Sequence, residues 1–318
     1  MDTLSDVLSS LHLRGAIFLD AKFTAPWCAV SKTGHRDTGF FAASEHIVFF
    51  HIVMEGNCRA RLLATEQTIE LQAGDLMLLA HDDPHMIGSD LEREPVDADT
   101  LVVATSAGGL MQIDFGGGGE LTRFMCGYLA CDKRLCGVLL EALPRLIHIS
   151  FGSEPTAAWL TNLLLLGAHE TSMPRPGGES ALAKLSELLF VEAVRRHVDS
   201  LSAADTGWLA GLRDRFVGKA LALMHDRPQY SWTIDELSAQ IGISRSALAQ
   251  RFTELVGQPP MQYLTRWRLT VAAQRLRRES TSLERIAEHL GYQSQAAFNR
   301  AFKREFGITP ARWRRASD

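Results

Sequence analysis

The feature that most constrains this 318-residue chain is a repeat near its C-terminal end. "TIDELSAQIGISRSALAQRFTELVGQPP" (233–260) and "SLERIAEHLGYQSQAAFNRAFKREFGITP" (282–310) align part for part. Thr233 matches Ser282, Leu237 matches Ile286 and Gly242 matches Gly291, each pair 49 residues apart. Gln293 is inserted in the second copy. Beyond it Ser244 matches Ser294, Leu248 matches Phe298, Phe252 matches Phe302, Gly257 matches Gly307 and Pro260 matches Pro310, each 50 apart. Self-similarity of this kind marks one supersecondary unit used twice. Thr233 and Ser282 are N-cap candidates, because a side-chain oxygen there satisfies orphan backbone N–H groups. "TIDE" also sets Glu236 where a capping box needs it. Gly242 and Gly291 end the first helix of each copy, since glycine accepts a left-handed cap. Ser244 and Ser294 then cap a second helix. Short helix, glycine-containing turn, second helix is the helix-turn-helix arrangement.

The second helices carry the functional signal. Leu248, Phe252 and Leu255 are predicted to face inward in the first copy, and Phe298, Phe302 and Phe306 in the second. The opposite faces hold Arg245, Ser246, Ala249 and Gln250, and Gln295, Ala296, Asn299 and Arg300. Arginine pairs with guanine, asparagine or glutamine with adenine, and alanine touches the thymine methyl. These eight are the candidate base-reading residues. Ser244, Ser294, Lys303, Arg304, Arg266 and Arg312 are candidates for phosphate contact, joined by Arg268 and Arg314. "PPMQYLTRWRLTVAAQRLRRES" (259–280) reads as a long helix between the copies. About twenty residues span roughly 30 Å, close to one turn of B-form DNA, so both recognition helices could enter successive major grooves.

Charge supports that reading. The net charge of −4 conceals 18 basic and 10 acidic residues in 208–318, a net of +8, against −12 in 1–207. A basic segment joined to an acidic one points to a polyanionic partner. No apolar run approaches a membrane span, and the N-terminus lacks the basic stretch and apolar core of a secretory signal. A cytoplasmic, non-membrane protein is expected. Its five cysteines, an odd number, are not expected to form structural disulfides there.

Residues 44 to about 130 read as β structure, with "HIVFFHIV" followed by short apolar runs and turn residues. "GGGG" at 116–119 reads as a loop. From about 133 the pattern becomes helical, in "LCGVLLEAL", "TAAWLTNLLLLGAHE" and the amphipathic "ALAKLSELLFVEAVRRHV" (181–198), after a Pro/Gly-rich connector at 171–180.

With these residues in view, the C-terminal part is identified as a member of a known group. Residues 208–318 resemble the DNA-binding domain of AraC/XylS-type transcriptional regulators, most specifically over "RIAEHLGYQSQAAFNRAFKREFGITPARWR" (285–314). The resemblance implies a bacterial regulator that binds double-stranded promoter DNA through two helix-turn-helix units. The family's base-reading positions fall on the faces named above. Ser246 and Gln250 depart from it, standing where the family often has a large or basic residue. The N-terminal part is similar to the cupin-type sensor domain of one branch of the family. "FFHIVMEGNC" (49–58), "LQAGDLMLLAHDDPHMI" (71–87) and "GGGGELTRFMCGYL" (116–129) carry that similarity. It implies a small β-barrel whose mouth could hold an effector.

The expected architecture is therefore a two-domain α+β chain. A cupin-like sensor domain with its following helices covers 1–172, and a linker with an amphipathic helix covers 173–207. An all-α domain with two helix-turn-helix units covers 208–318. The amphipathic helix is the candidate dimerisation element, and a homodimer is expected. Many cupins bind metal through an HxH pair, but here only His51 stands in the first motif, with Phe49 two residues before it. His85 matches the second motif, with His81 and His46 as further imidazoles. No metal and no cofactor is assigned. Cys126, Cys131 and Cys136 are spaced five apart and form, with His51 and His85, the candidate effector or redox set. An oxidant sensor needs a low thiolate pKa and solvent access. The chain is expected to be a regulator responding to a small effector or oxidant, and not an enzyme. The competing reading is a metal-dependent cupin enzyme with a helical appendage.

Overall fold

The computed structural model describes residues 2–11, 13–32, 45–104, 110–150, 162, 167, 176–202 and 204–315. The chain forms two compact units. One gathers Leu13–Lys133 and Leu143–Asp199; the other gathers Met1–His12, Arg134–Ala142 and Ser200–Asp318.

The first unit is β-rich. Its strands are β1 (Arg14–Thr24), β2 (Cys28–Ser31), β3 (Glu45–Glu55), β4 (Asn57–Leu62), β5 (Thr68–Gln72), β6 (Asp75–Leu79), β7 (His85–Gly88), β8 (Val96–Asp97), β9 (Met111–Gly116), β10 (Leu121–Asp132) and β11 (Leu146–Ser150). They form a six-stranded sheet in the order β11-β6-β3-β10-β1-β9 and a five-stranded sheet in the order β5-β4-β7-β2-β8. Alternating side chains of both sheets make one apolar core that includes Leu19, Phe23, Trp27, Ile47, Phe49, Met77, Ile87 and Phe124. Within it Phe23 stacks on Trp27 at 4.2 Å, and Phe124 meets Trp27 edge-on.

The β region is longer than its sequence pattern suggests. It opens at Arg14 rather than near 44, and β11 lies where the chain was expected to be helical. The period-two signal of "LIHIS" is present, with Ile147 and Ile149 buried and His148 turned outward. It is only five residues long, and pairing with β6 decides its state. The helix expected at 156–170 lies, apart from Asn162 and Gly167, outside the described residues, as do 171–175 of the connector.

Helix α3 (Gly178–Ser200) is amphipathic, as its spacing predicts. Its apolar face, with Leu182, Leu185, Leu189, Phe190 and Val194, is buried inside the chain. Leu188 is the large apolar side chain the helix leaves exposed.

The second unit is helical: α1 (Thr3–Ser10), α2 (Lys133–Ala142), α4 (Trp208–Arg213), α5 (Val217–Asp226), α6 (Ile234–Ile241), α7 (Arg245–Val256), α8 (Pro260–Arg278), α9 (Leu283–His289), α10 (Gln295–Phe306) and α11 (Pro310–Arg315). The second repeat is built on a dense aromatic cluster. Phe298, Phe302, Phe306 and Trp313 pack with Leu269, Leu276 and Ile286, and Leu135 of α2 joins them. The Arg134 guanidinium lies 4.3 Å from the Trp313 ring centre. Helix α2, encoded far ahead of the repeats, thus contributes to the body that holds them.

Beneath the first repeat is a buried polar group. Trp208 Nε1 donates to the Tyr263 hydroxyl at 2.9 Å, and that hydroxyl is 2.7 Å from His225 Nε2. The Asp6 carboxylate of α1 lies 3.7 Å from His225 Nδ1, which favours a proton on Nδ1 and leaves Nε2 to accept from Tyr263. The contact to Asp6 is beyond hydrogen-bond range, so burial prevails and holds the His225 pKa down at about 3. The unfolded chain protonates this imidazole near 6.5 and the folded chain does not, so stability is lost as pH falls from about 6.5 towards 3. At pH 5 the loss from this group is about 2 kcal/mol. Urea melts at pH 7.5 and 5.0 check this: the wild-type decrease is expected to exceed that of His225→Phe by about that amount, and equal decreases would refute it.

Candidate nucleic-acid interface and effector cavity

The two recognition helices are set by matching caps. Thr233 and Glu236 make a reciprocal capping box, and Gly242 ends α6 with φ of 84° in the left-handed region. Ser244 accepts from the Ala247 N–H at the start of α7. In the second copy Ser282 accepts from Arg285 N–H and Ser294 from Ala297 N–H. Leu248, Phe252, Phe298 and Phe302 are fully buried, while Leu255, expected inward, is only half-buried.

The opposite faces are open. Arg245, Ser246, Gln250, Gln295, Ala296 and Arg300 are exposed; Ala249 and Asn299 are half-buried at the edge. Their side chains are lightly tethered. Arg245 pairs with Asp235 at 3.2 Å, and Gln250 donates to Glu254 at 2.8 Å. The buried Oδ1 of Asn299 has no hydrogen-bond partner among the described residues.

The phosphate candidates divide into two groups. Lys303, Arg304 and Arg312 are exposed, and Ser244 and Ser294 act as caps at helix starts. Arg266 is instead held between two carboxylates, 3.1 Å from Glu305 Oε1 and 3.8 Å from Glu141 Oε2. Arg268 donates to the carbonyls of Pro228 and Tyr230, and Arg314 to that of Thr281. These last two brace the helical unit from within, a role that a count of basic residues does not reveal.

In the β-rich unit the structure brings three of the five effector candidates together. Cys126 of β10 and His51 of β3 are paired across neighbouring strands. Cys126 Sγ lies 3.0 Å from His51 Nδ1, His51 Nε2 lies 3.0 Å from His85 Nε2, and His85 Nδ1 lies 3.0 Å from the Asp83 carbonyl oxygen. His85 belongs to the opposite sheet. With Leu19, Phe23, Trp27, Ile113 and Phe124 these side chains line an apolar cavity of about 60 Å³ between the sheets.

Cys131 and Cys136 are elsewhere. Cys131 faces His46 across the strand pair, and Cys136 is buried on α2 with Sγ 4.0 Å from the Leu11 carbonyl. His46 bonds the Ala80 carbonyl and His81 the Leu143 carbonyl. Equal spacing along the chain therefore does not make a three-cysteine cluster. All five cysteines are buried thiols outside any disulfide. Burial pushes the Cys126 thiol up, and that of Cys58 up to about 12. The low thiolate pKa that free oxidant chemistry needs is absent at both. Among the described residues no group of three His, Cys, Asp or Glu is placed to hold a metal ion, and no helix is long and apolar enough to cross a membrane.

The Trp27 indole is the group that sequence reading missed. It is 1% exposed, it lines the cavity, and its Nε1 has no hydrogen-bond partner among the described residues. "APWC" held a signal in retrospect: a tryptophan beside a proline turn ahead of a strand.

A β-rich domain with an apolar cavity, joined to two helix-turn-helix units with open polar faces, defines a DNA-binding transcriptional regulator. The cupin family matches residues 2–199 and a helix-turn-helix domain matches 237–316. The chain is 32% identical over 315 residues to an AraC-like transcription regulator of Streptomyces antibioticus, covering 99% of each. It is 33% identical over 316 residues to one of Streptomyces lividans, covering 99% of this chain and 98% of that one. It is also 29% identical over 324 residues to the regulator AlkR of Acinetobacter baylyi, covering the whole of both. This chain belongs to the AraC family of transcriptional regulators, in the group that carries an N-terminal cupin domain.

Proposed function

We propose that this regulator recognises promoter DNA by laying α7 and α10 in successive major grooves and that the β-rich unit sets DNA affinity by taking up a small molecule. The observation that carries the first part is the match between the two exposed faces. Arg245, Ser246, Ala249 and Gln250 on α7 stand where Gln295, Ala296, Asn299 and Arg300 stand on α10. Each face follows an identical serine cap and lies opposite a buried Leu/Phe or Phe/Phe pair. The intervening α8 is 19 residues long, roughly 28 Å at 1.5 Å per residue, which suits a spacing of one duplex turn. Lys303, Arg304 and Arg312 supply phosphate contacts; Arg266 joins them once released from its carboxylates. The sensor role falls to the segment 1–172, the DNA role to 208–318, and a homodimer is the form that binds. The protein acts in the cytoplasm, as a regulator and not an enzyme.

Replacing Arg300 by alanine is the direct test. If its guanidinium pairs with guanine, the change costs about 1–3 kcal/mol on the cognate site and relaxes preference at one base pair. Fluorescence anisotropy on a set of single-base operator variants reads this. Uniform weakening across the set would assign Arg300 to the phosphates instead.

A further inference from the structure

The direction of every proton in the Cys126 cluster follows from one fixed acceptor. The Asp83 carbonyl can only accept, so His85 Nδ1 carries a proton and donates to it. Neutral His85 then presents Nε2 as an acceptor, and His51 Nε2 must be the donor across their 3.0 Å contact. That leaves His51 Nδ1 unprotonated and facing Sγ of Cys126 at 3.0 Å, so the thiol is the donor. A nucleophile, a base within reach of its proton, and a third group orienting the base form the arrangement that activates a weak nucleophile.

The surroundings narrow what such a thiol can meet. The cavity is about 60 Å³, well under the roughly 150 Å³ of an engineered cavity that holds benzene. Its walls are mostly hydrocarbon, and taking an ion into such a place without a partner is costly. Both imidazoles have both nitrogens engaged, so they offer an entering molecule no free hydrogen bond. Trp27, a wall residue, adds one: its buried N–H has no acceptor among the described residues, and buried polar groups of that kind call for an explanation. A neutral molecule of a few heavy atoms with one acceptor oxygen fits all four conditions.

We propose that this cavity traps a small neutral carbonyl electrophile, a short enal, as a covalent adduct on Cys126. With an enal, Sγ bonds to the β-carbon and the C=C π pair moves through the conjugated system onto oxygen. The thiol proton passes to His51 Nδ1, and the enolate that forms accepts from Trp27 Nε1–H. The proton then returns from His51 to the α-carbon, giving a thioether with the carbonyl restored. No oxidant is consumed and no group leaves. Burial keeps the thiol protonated, so molecules that cannot enter the cavity leave it unmodified. The trap deepens the sensor reading above and rests on it for its consequence at DNA.

Acrolein is the probe, applied to the full chain, followed by borohydride reduction and peptide mass mapping. The expected result is one acrolein on Cys126 ahead of Cys28, Cys58, Cys131 and Cys136. His51→Ala should slow that reaction about a hundredfold, within the range for a lost general base. Trp27→Phe keeps the stacked ring and removes the N–H; it should slow the reaction about a hundredfold, the low end for one lost oxyanion donor. Thermal melts verify that each variant is folded, and Trp27→Phe still tests the proposal should His51→Ala unfold. Labelling that spares Cys126, or rates unchanged in both variants, overturns the trap. If the adduct forms on Cys126 with both dependences and DNA affinity does not change, the trap stands and the sensor reading fails. If acrolein spares Cys126 while unreactive allyl alcohol shifts DNA affinity, the sensor reading stands and the trap fails.

Discussion

Phe302→Ala is expected to abolish specific DNA binding and to destabilise the helical unit by about 3–5 kcal/mol. Phe302 is 0% exposed and is in contact with three aromatic rings. Its centroid is 5.6 Å from Phe298, 4.6 Å from Phe306 and 5.6 Å from Trp313. Removing the ring loses both its transfer from water and the edge-to-face contacts, and the surrounding helices cannot close the gap without moving. Those helices are α10 itself and α11, so the cavity opens under the recognition face. Since a domain's whole stability is typically 5–15 kcal/mol, the loss takes most of the margin. Denaturant melts and anisotropy on the same samples decide the matter. A variant that melts within 1 kcal/mol of wild type and still binds would show the aromatic cluster to be dispensable, against the usual cost for such a truncation.

DNA affinity should fall about fortyfold between 50 and 200 mM monovalent salt for each bound chain. Each neutralised phosphate releases counterions and adds about 0.9 to the slope of log affinity against log salt. Lys303, Arg304 and Arg312 are exposed and give a slope of about −2.7. Arg266 complicates the count in a useful way, because Glu305 and Glu141 hold it. Glu141→Gln weakens one side of that clamp. If Arg266 then reaches a phosphate, the slope steepens to about −3.6 and the same salt step costs about 150-fold. A salt-independent affinity in the wild type would contradict phosphate contact altogether. An unchanged slope in Glu141→Gln would keep Arg266 as a brace between helices.

The contrast between the exposed Arg300 and the clamped Arg266 shows which features a local sequence pattern carries. Caps, glycine stops and apolar spacing are local, so Thr233, Gly242, Ser244 and Ser294 announce their helices within a few residues. The repeat then multiplies each weak local signal by two. Arg266 lies on an equally regular helix, yet its partners are on α2 and α10, and no periodicity encodes a carboxylate that arrives from residue 141. The same holds for the cavity. His51 and Cys126 are 75 positions apart and His51 and His85 are 34 apart. Only strand pairing and the facing of two sheets make them neighbours. Cys131 and Cys136 show the converse: regular spacing grouped them with Cys126, but five residues along β10 carry Cys131 roughly 16 Å away and onto the other face, and Cys136 lies past the turn on α2. Strand β11 escaped for the same reason, because tertiary pairing with β6, not propensity, decided it.

Helices α1 and α2 belong to the body that carries the recognition helices, although each is encoded beside a strand of the other unit. The simplest way to move such a reader onto a foreign sensor is a single cut ahead of it. Here a graft starting at residue 200 would leave Tyr263 and His225 without the lid that Asp6 provides, and Trp313 without Arg134 above it. A working transplant would need three segments and four joints, and natural recombination between family members faces the same arithmetic.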